Sequence, residues 1–368
     1  MDRLYIAATS QHVGKTTSTL GLMAAIKERN INVGYCKPVG QQFVDLGELQ
    51  VDKDALLFAR SNDFELKAEW HSPVIIGRGV TSQYLEDPSQ FDFPTAIQQA
   101  SRHLQSTYDT VVYEGTGHPG VGSVCDVSNA QVAQLLSSPV VMVVEGGIGK
   151  TIDMLNMNLA LFRERRVPVR GVILNKVLPK KIDKVRKYVG KYLDKIGIPL
   201  LGVLPYDRSL SSPIMATIRH AIKGVTLINK ESLDNRAENI ASAVLLQQQE
   251  VQPKPNSVIV TGWSRLENTL GDIAELIEKK KLPEDVLSGV VVTVREHEML
   301  KSELEEIIPH RDFLDKHKIP LIVTDMDSYA AAVKINRMEV KINLRTPWKI
   351  RRAIELVKEH VDLSSLFD

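Results

Sequence analysis

Thr9-Ser10-Gln11-His12-Val13-Gly14-Lys15-Thr16-Thr17 decides how this chain is read. The stretch follows a short apolar run, Leu4 to Ala8, and opens a helix-like run through Arg29. A strand that turns tightly into a helix N-terminus around Gly-Lys-Thr is a phosphate cradle. Backbone N–H groups point into the turn, and the helix dipole adds partial positive charge. The Lys15 ammonium reaches toward β- and γ-phosphates, and the Thr16 hydroxyl is placed to ligate Mg²⁺. Thr9 stands where the usual pattern has its first glycine, so the loop is a variant in the strand–loop–helix setting it needs. The reading is a nucleoside-triphosphate site with His12, Val13, Gly14, Lys15, Thr16 and Thr17 as its binding loop.

Outward from this loop, short β-branched runs alternate with helical patterns. Predicted strands are Leu4–Ala8, Val33–Lys37, Thr110–Tyr113, Val140–Val144, Val169–Leu174 and Leu200–Leu204. Predicted helices are Thr16–Arg29, Pro94–Thr107, Ala130–Leu136, Ile152–Arg165 and Ile182–Ile196. Such alternation implies βαβ units and a parallel sheet covered by helices on both faces. Ligands on these sheets sit at the carboxyl ends of the strands. The phosphate loop, Lys37, Glu114, Gly146 and Asn175 fall at or just past strand ends, so they are expected on one edge. The polar segment from Pro205 to Pro213 reads as a boundary. It gives domains 1–212 and 213–368, the second a smaller α/β unit. Strands are expected there at Ser257–Thr261, Gly289–Val294 and Pro320–Thr324. Helices are expected at Asn235–Leu246, Thr269–Lys280, Ser328–Ile335 and Pro347–His360, with a polar loop at Gln247–Pro255.

The 368 residues allow two domains, and 43% hydrophobic with 25% charged content is ordinary for a globular protein. Lys+Arg 46 against Asp+Glu 45 leaves net charge +1, so no global field favours nucleic acid or an anionic membrane. Two cysteines, Cys36 and Cys125, are too few for a disulfide framework or thiolate metal cluster, which fits a reducing cytoplasm. The first strand begins at once, leaving no room for a signal peptide, and apolar runs such as Val140–Val144 are too short to span a bilayer.

Lys37 lies in Gly34-Tyr35-Cys36-Lys37-Pro38-Val39-Gly40. Pro38 biases it toward an extended backbone, which projects a second ammonium from the end of strand two. Beside a phosphate loop it reads as a second catalytic cation with Lys15, acting on a γ-phosphate or acyl phosphate. Asp52-Lys53-Asp54-Ala55 begins a helical run. Either carboxylate serves as an N-cap, or Asp54 is a Mg²⁺ ligand. Glu114, ahead of Gly115-Thr116-Gly117, holds the second acidic position of a phosphate-loop enzyme and reads as metal-linked. His118 reads as a cap for that loop. Gly146-Gly147-Ile148-Gly149-Lys150-Thr151 resembles a second phosphate loop in poor register and reads as a glycine-rich turn facing the same crevice. Asn175, in Asn175-Lys176, offers its amide to an adenine edge or to a turn. The lysine-rich helix from Lys180 to Lys195 reads as a solvated face, and Met154, Leu155, Met157, Leu159, Leu161 and Phe162 as core.

Together Val13-Gly14-Lys15-Thr16, Gly34–Val39, Asp54, Glu114–Gly117 and Asn175-Lys176 resemble dethiobiotin synthetase. They look still more like the amino-terminal region of long bacterial phosphate acetyltransferases. Glu145–Asp153 and Asn158–Arg165 carry the latter likeness. From about residue 214 the chain resembles the DRTGG domain of those proteins, through Thr324–Ala332 and Lys334-Ile335-Asn336-Arg337. The resemblance implies ATP bound by His12, Val13, Gly14, Lys15, Thr16, Thr17, Asn175 and Pro205, and Mg²⁺ held by Thr16, Asp54 and Glu114. It also implies a homodimer with a small-molecule substrate or effector.

The sequence departs from these relatives at named positions. Ser10, Gln11 and His12 replace two acids flanking a threonine in dethiobiotin synthetase, Gln41 replaces a serine, and Ala8 a glycine. Partitioning ATPases carry a lysine at the position of Ser10. Cobyrinate amidases add a glutaminase with a nucleophilic cysteine, for which neither Cys36 nor Cys125 has the setting. The acetyl-transferring domain would follow residue 368, so acetyl phosphate synthesis is not expected of these residues. In the second domain Gly262-Trp263-Ser264-Arg265 stands for Gly-Asp-Arg, and Thr293-Val294-Arg295 for Thr-Gly-Gly. Two functions fit: a nucleotide-dependent regulatory or sensor module, and an ATP-dependent ligase that activates a carboxylate or carbamate.

Overall fold

The computed structural model describes residues 2–46, 49–242, 254–279, 281–294, 301–338 and 340–367. They form two compact units, Met1–Asp207 with Ile342–Asp368, and Arg208–Lys341.

The first unit is organised by six strands, β1 (Arg3–Ala8), β2 (Val33–Cys36), β3 (Thr110–Glu114), β4 (Val140–Glu145), β5 (Val169–Val177) and β6 (Leu200–Pro205). All pair in parallel in the order β6-β5-β4-β1-β3-β2. Their Val-, Ile- and Leu-rich sequences are buried on both faces, which is why they read as unbroken apolar runs. Helices α1 (Lys15–Lys27), α2 (Lys53–Asn62), α3 (Phe93–Thr107), α4 (Asn129–Leu135), α5 (Gly149–Glu164) and α6 (Ile182–Lys195) supply the connections. Ile97 and Leu104 of α3, Leu155, Leu159 and Phe162 of α5, and Val185, Val189 and Leu193 of α6 share one core with Tyr5, Val111 and Met142 of the sheet. The lysines of α6 stay in solvent, as the sequence suggests, but Met157 on α5 is exposed rather than core.

The second unit has a mixed sheet. Strands β7 (Val225–Ile228), β8 (Asn239–Ser242), β9 (Ser257–Gly262), β10 (Leu287–Thr293) and β11 (Leu321–Thr324) lie in the order β7-β11-β10-β9-β8. Only β7 runs antiparallel. Helices α7 (Met215–Ala221), α8 (Leu266–Glu278) and α9 (Ser328–Arg337) accompany it. The expected helix over Asn235–Leu246 is corrected here. Asn239–Ser242 is a strand, paired residue for residue with Ser257–Val260, because pairing beside a buried β-rich strand outweighs local helix preference. Residues 243–246, most of the polar loop Gln247–Pro255, Lys280 and Arg295 lie outside the described residues.

The predicted helix over Pro347–His360 forms as α10 with those bounds, but it belongs to the first unit, not to the domain 213–368 that contained it in the sequence reading. It packs on α1 and β6. Its Val357 lies where a Cβ on Gly21 would collide, and the His360 carbonyl lies where one on Gly202 would. Asp362 N–H donates to the Leu201 carbonyl at 2.8 Å, Lys358 pairs with Glu28, and Arg352 Nε lies 2.6 Å from Asp207 Oδ2. Glycine on both partner elements is what lets a helix approach this closely.

Candidate functional site

The parallel sheet places every strand's carboxyl end on one edge. β1 is the switch point, with β3 and β2 on one side and β4, β5 and β6 on the other, the arrangement that opens a crevice for ligands. The loop after β1 enters α1 through Gly14, the helix N-cap, at φ 106°. Only glycine takes this backbone without strain, and a Cβ there would also collide with the Asn175 amide. Asn175 Nδ2 donates to the Val13 carbonyl at 2.7 Å, and its Oδ1 accepts from Lys176 N–H at 2.8 Å. Lys176 Nζ donates to the His12 carbonyl at 2.6 Å. In this structure Asn175 and Lys176 therefore brace the loop from β5. Pro205 ends β6 opposite Val177, one strand beyond β5 on the same edge.

The charged side chains meet beside this loop. Lys15 Nζ donates to the Gly117 carbonyl at 3.0 Å, and Thr16 Oγ1 donates to Glu114 Oε1 at 3.0 Å. Lys37 Nζ lies 2.7 Å from Asp54 Oδ2 and 3.1 Å from Glu114 Oε1. Asp52 and Asp54 divide the roles the sequence left open. Asp52 caps α2, accepting from Asp54 N–H at 2.8 Å, and so frees Asp54 to face Lys37. Thr17, next along α1, is half-buried.

Burial sets the electrostatics. Glu114 is 1% exposed and Lys37 4%. Desolvation raises the Glu114 pKa, and Lys37 draws it back. Desolvation works against the Lys37 ammonium too, yet Asp54, Glu114 and Asp52 together hold its pKa above the ordinary lysine value, so it stays charged. Glu114 Oε2 is buried with no hydrogen-bond partner among the described residues. An orphaned carboxylate oxygen beside a hydroxyl and a second carboxylate is a fitting donor set for Mg²⁺, which takes one or two carboxylates and completes its shell with phosphate oxygens and water. Among the described residues no group of three or more His, Cys, Asp or Glu side chains is placed to hold a metal ion.

Three residues of the site escaped the sequence reading. Asn129 opens α4, is buried, and uses its whole amide: Oδ1 accepts from Tyr5 OH at 2.8 Å and Thr116 N–H at 2.9 Å, while Nδ2 donates to the Thr116 and His118 carbonyls, both at 2.6 Å. It fixes the loop whose Gly117 carbonyl holds Lys15. The Ser128–Gln131 capping box was the available signal, and it marks the helix start rather than the clamp. Tyr5 is its partner. Tyr35 stacks on Phe58 at 3.9 Å and buries a hydroxyl with no hydrogen-bond partner among the described residues, its pKa raised by burial and then by Glu114, Asp54 and Asp52. His118 Nδ1 accepts from Gly120 N–H at 3.2 Å, the capping role expected of it. The turn after β4 packs Gly146 against Val177 and the Asn175 carbonyl, and Thr151 Oγ1 donates to the Glu145 carbonyl at 2.8 Å.

A family model described as an AAA domain, AAA_26, matches residues 2–214, more than half of the chain. The chain belongs to this AAA domain family. Across the AAA domain and beyond it, the chain is 22% identical to a phosphate acetyltransferase of Synechocystis sp., over 99% of this chain and 51% of that protein. It is 31% identical to a hydrogenobyrinate a,c-diamide synthase of Streptomyces coelicolor, over 58% of this chain and 38% of that protein. A probable cobyric acid synthase of Methanothermobacter thermautotrophicus is 32% identical over 32% of this chain and 24% of its own length. The chain spans about half the length, or less, of these curated relatives. Among the described residues no helix is long and apolar enough to cross a membrane.

Proposed function

We propose that the AAA domain binds ATP with Mg²⁺ and that the chain is a nucleotide-dependent regulatory or sensor module, related to the amino-terminal region of phosphate acetyltransferases. Its second unit is a degenerate DRTGG-like domain in this reading. The observation that carries the nucleotide assignment is the meeting of Lys15, Thr16, Lys37, Asp54 and Glu114 at the switch point of a parallel sheet. The Gly14–Thr17 turn presents helix-end N–H groups to phosphate, and Lys15 supplies the adjoining positive charge. Thr16, Asp54 and Glu114 would hold the Mg²⁺, which supplies charge neutralisation at the phosphates. Asn175 holds the loop in shape from β5, with Pro205 on the adenine side. The regulatory role is supported by the extent of the likeness, since the phosphate acetyltransferase match runs through both units. The homodimer and cytoplasmic setting implied by the resemblance belong to this reading.

Calorimetric titration with a non-hydrolysable ATP analogue and Mg²⁺, beside Lys15→Ala, tests it. Micromolar binding that weakens by about 10–100-fold in the variant is expected, and no binding to either protein overturns it.

A second reading, an ATP-dependent ligase that activates a carboxylate or carbamate as an acyl phosphate, is favoured by Lys37, a second ammonium beside the loop. In that case a substrate screen finds turnover in the native protein that Lys37→Ala loses while still binding ATP. Absence of turnover in both proteins favours the regulatory module.

A further inference from the structure

Of the three side chains suited to a divalent cation, the two carboxylates are already engaged by an amine of the chain itself. Lys37 Nζ reaches Asp54 Oδ2 at 2.7 Å and Glu114 Oε1 at 3.1 Å, and the Thr16 hydroxyl lies on the same Glu114 oxygen at 3.0 Å. We propose that Lys37 is a resident counter-ion of the metal site, which closes the Asp54–Glu114 pair to a divalent cation arriving alone and yields it to a cation arriving with nucleotide. This deepens the nucleotide reading and rests on it.

The argument is one of pairing. An ammonium already on Asp54 Oδ2 and Glu114 Oε1 neutralises the charge a divalent cation would seek and repels it at close range, although Glu114 Oε2 itself has no hydrogen-bond partner among the described residues. Lys37 sits on a buried strand end, with its side chain 5% exposed. If a lone cation displaced it, a buried ammonium would lose both carboxylates with nothing to replace them, a costly state. A nucleotide changes the exchange, because its phosphates offer Lys37 a new anionic partner as the cation takes the carboxylates. Asp54, with its side chain 22% exposed, leaves the entry side open. Lys15 donates to the Gly117 carbonyl and adds an attraction at Glu114 smaller than that of Lys37. Cation and nucleotide are therefore coupled through one side chain, and the coupling is reciprocal. Lys37 thus acts as a selectivity element before it acts on any phosphate.

The test measures Mn²⁺ binding by electron paramagnetic resonance in the full chain without nucleotide. Lys37→Met is expected to bind Mn²⁺ roughly tenfold tighter than the native protein or more, since the competing charge is gone. Adding Glu114→Gln to that variant is expected to abolish the gain. The non-hydrolysable ATP analogue is expected to raise Mn²⁺ affinity in the native protein by more than it does in Lys37→Met. Equal Mn²⁺ affinity of native protein and Lys37→Met without nucleotide overturns the proposal.

Thermal melting guards against a folding defect. Lys37→Met should melt lower than the native protein and recover with Mn²⁺, while the native melting temperature stays put. A variant that remains unfolded in millimolar Mn²⁺ also counts against the proposal, because the cation then cannot stand in for the amine. The nucleotide-free arms do not depend on the ATP assignment. Failure of the analogue to bind either protein removes that assignment and the release step with it, and is read separately from the Mn²⁺ gain.

Discussion

The two units lay parallel strands side by side and cover them with helices, yet they bury different chemistry. The first hides Lys15, Lys37, Asp52, His71 and Glu114. In the second, every buried polar side chain among the described residues is a serine or threonine: Ser212, Thr226, Ser232, Ser257, Thr261, Thr269, Ser288 and Thr324. A hydroxyl is content with neutral hydrogen bonds, as Thr324 is in donating to the Ile222 carbonyl at 2.8 Å and accepting from Met326 N–H at 3.3 Å. A buried charge requires an opposite charge, a metal or a charged ligand. At the carboxyl edge of the second sheet Thr293 meets Ser328 at 2.7 Å, hydroxyl to hydroxyl. At the first edge an ammonium meets two carboxylates. Similar architecture therefore says little about function, and the charge placed at the strand ends says a great deal.

That contrast can be broken by substitution. The largest effect is expected for Asn129→Ala, which strands the buried Tyr5 OH and takes the partner from Thr116 N–H and from the part-buried Thr116 and His118 carbonyls. Leaving several buried groups unpaired should cost about 3 kcal/mol or more, read by urea unfolding. A loss comparable to a surface substitution would show that the clamp is incidental. Next, Lys15→Ala should weaken the ATP analogue on the order of 10–100-fold, the worth of a charge-assisted contact, with little change in melting temperature. If the melting temperature collapses instead, the lysine is structural and the functional contrast between the edges fails.

The same experiment in the second unit should be mild. Thr324→Val removes two neutral bonds, to the Ile222 carbonyl and from Met326 N–H, and should cost about 1–2 kcal/mol with no change in analogue affinity. A change in affinity would mean that the hydroxyl-lined unit takes part in nucleotide binding.

The smallest effect is a slope. Burial holds the His71 pKa below its ordinary 6.5, so the unfolded chain takes up the proton first. Its contribution is fully present above 6.5 and is lost as the pH falls below that value toward the lower folded one. His71→Phe keeps a ring beside Phe64, which stacks on His71 at 4.6 Å, and should flatten the fall in melting temperature on acidification. An unchanged slope would place the acid sensitivity elsewhere.

Much of this was legible in the residues. The strand before Thr9 and the helix after Gly14 announce a phosphate loop because the chemistry is local. Lys37 and Glu114 are legible because each follows a buried strand, and parallel strands end together. Asp52 and Asp54 were not separable, since both sit at a helix start and only the Lys37 approach distinguishes them. Asn129 was illegible because its partner Tyr5 is 124 residues away, and no local pattern records that pairing. Asn175 offered its amide equally to a ligand or to the backbone until the Val13 carbonyl was in view. Asn239–Ser242 misled because a short polar-apolar run takes its structure from the strand beside it. The stripe of α10 announces a helix, but an apolar stripe does not say which sheet it covers. The small residues Gly21 and Gly202 decide that, from the far end of the sequence.

The return of α10 has a consequence for synthesis. A ribosome delivers the phosphate loop ahead of most of the sheet that carries it, and that sheet is complete by Pro205. The helix that covers Gly21 and Leu201 is not made until residues 347–360 emerge. At translation speeds of roughly 5–20 residues per second, the nascent first unit waits about 10–30 seconds with that face bare, while the whole second unit is made in between. A chaperone that reads exposed apolar surface has its opportunity in that interval.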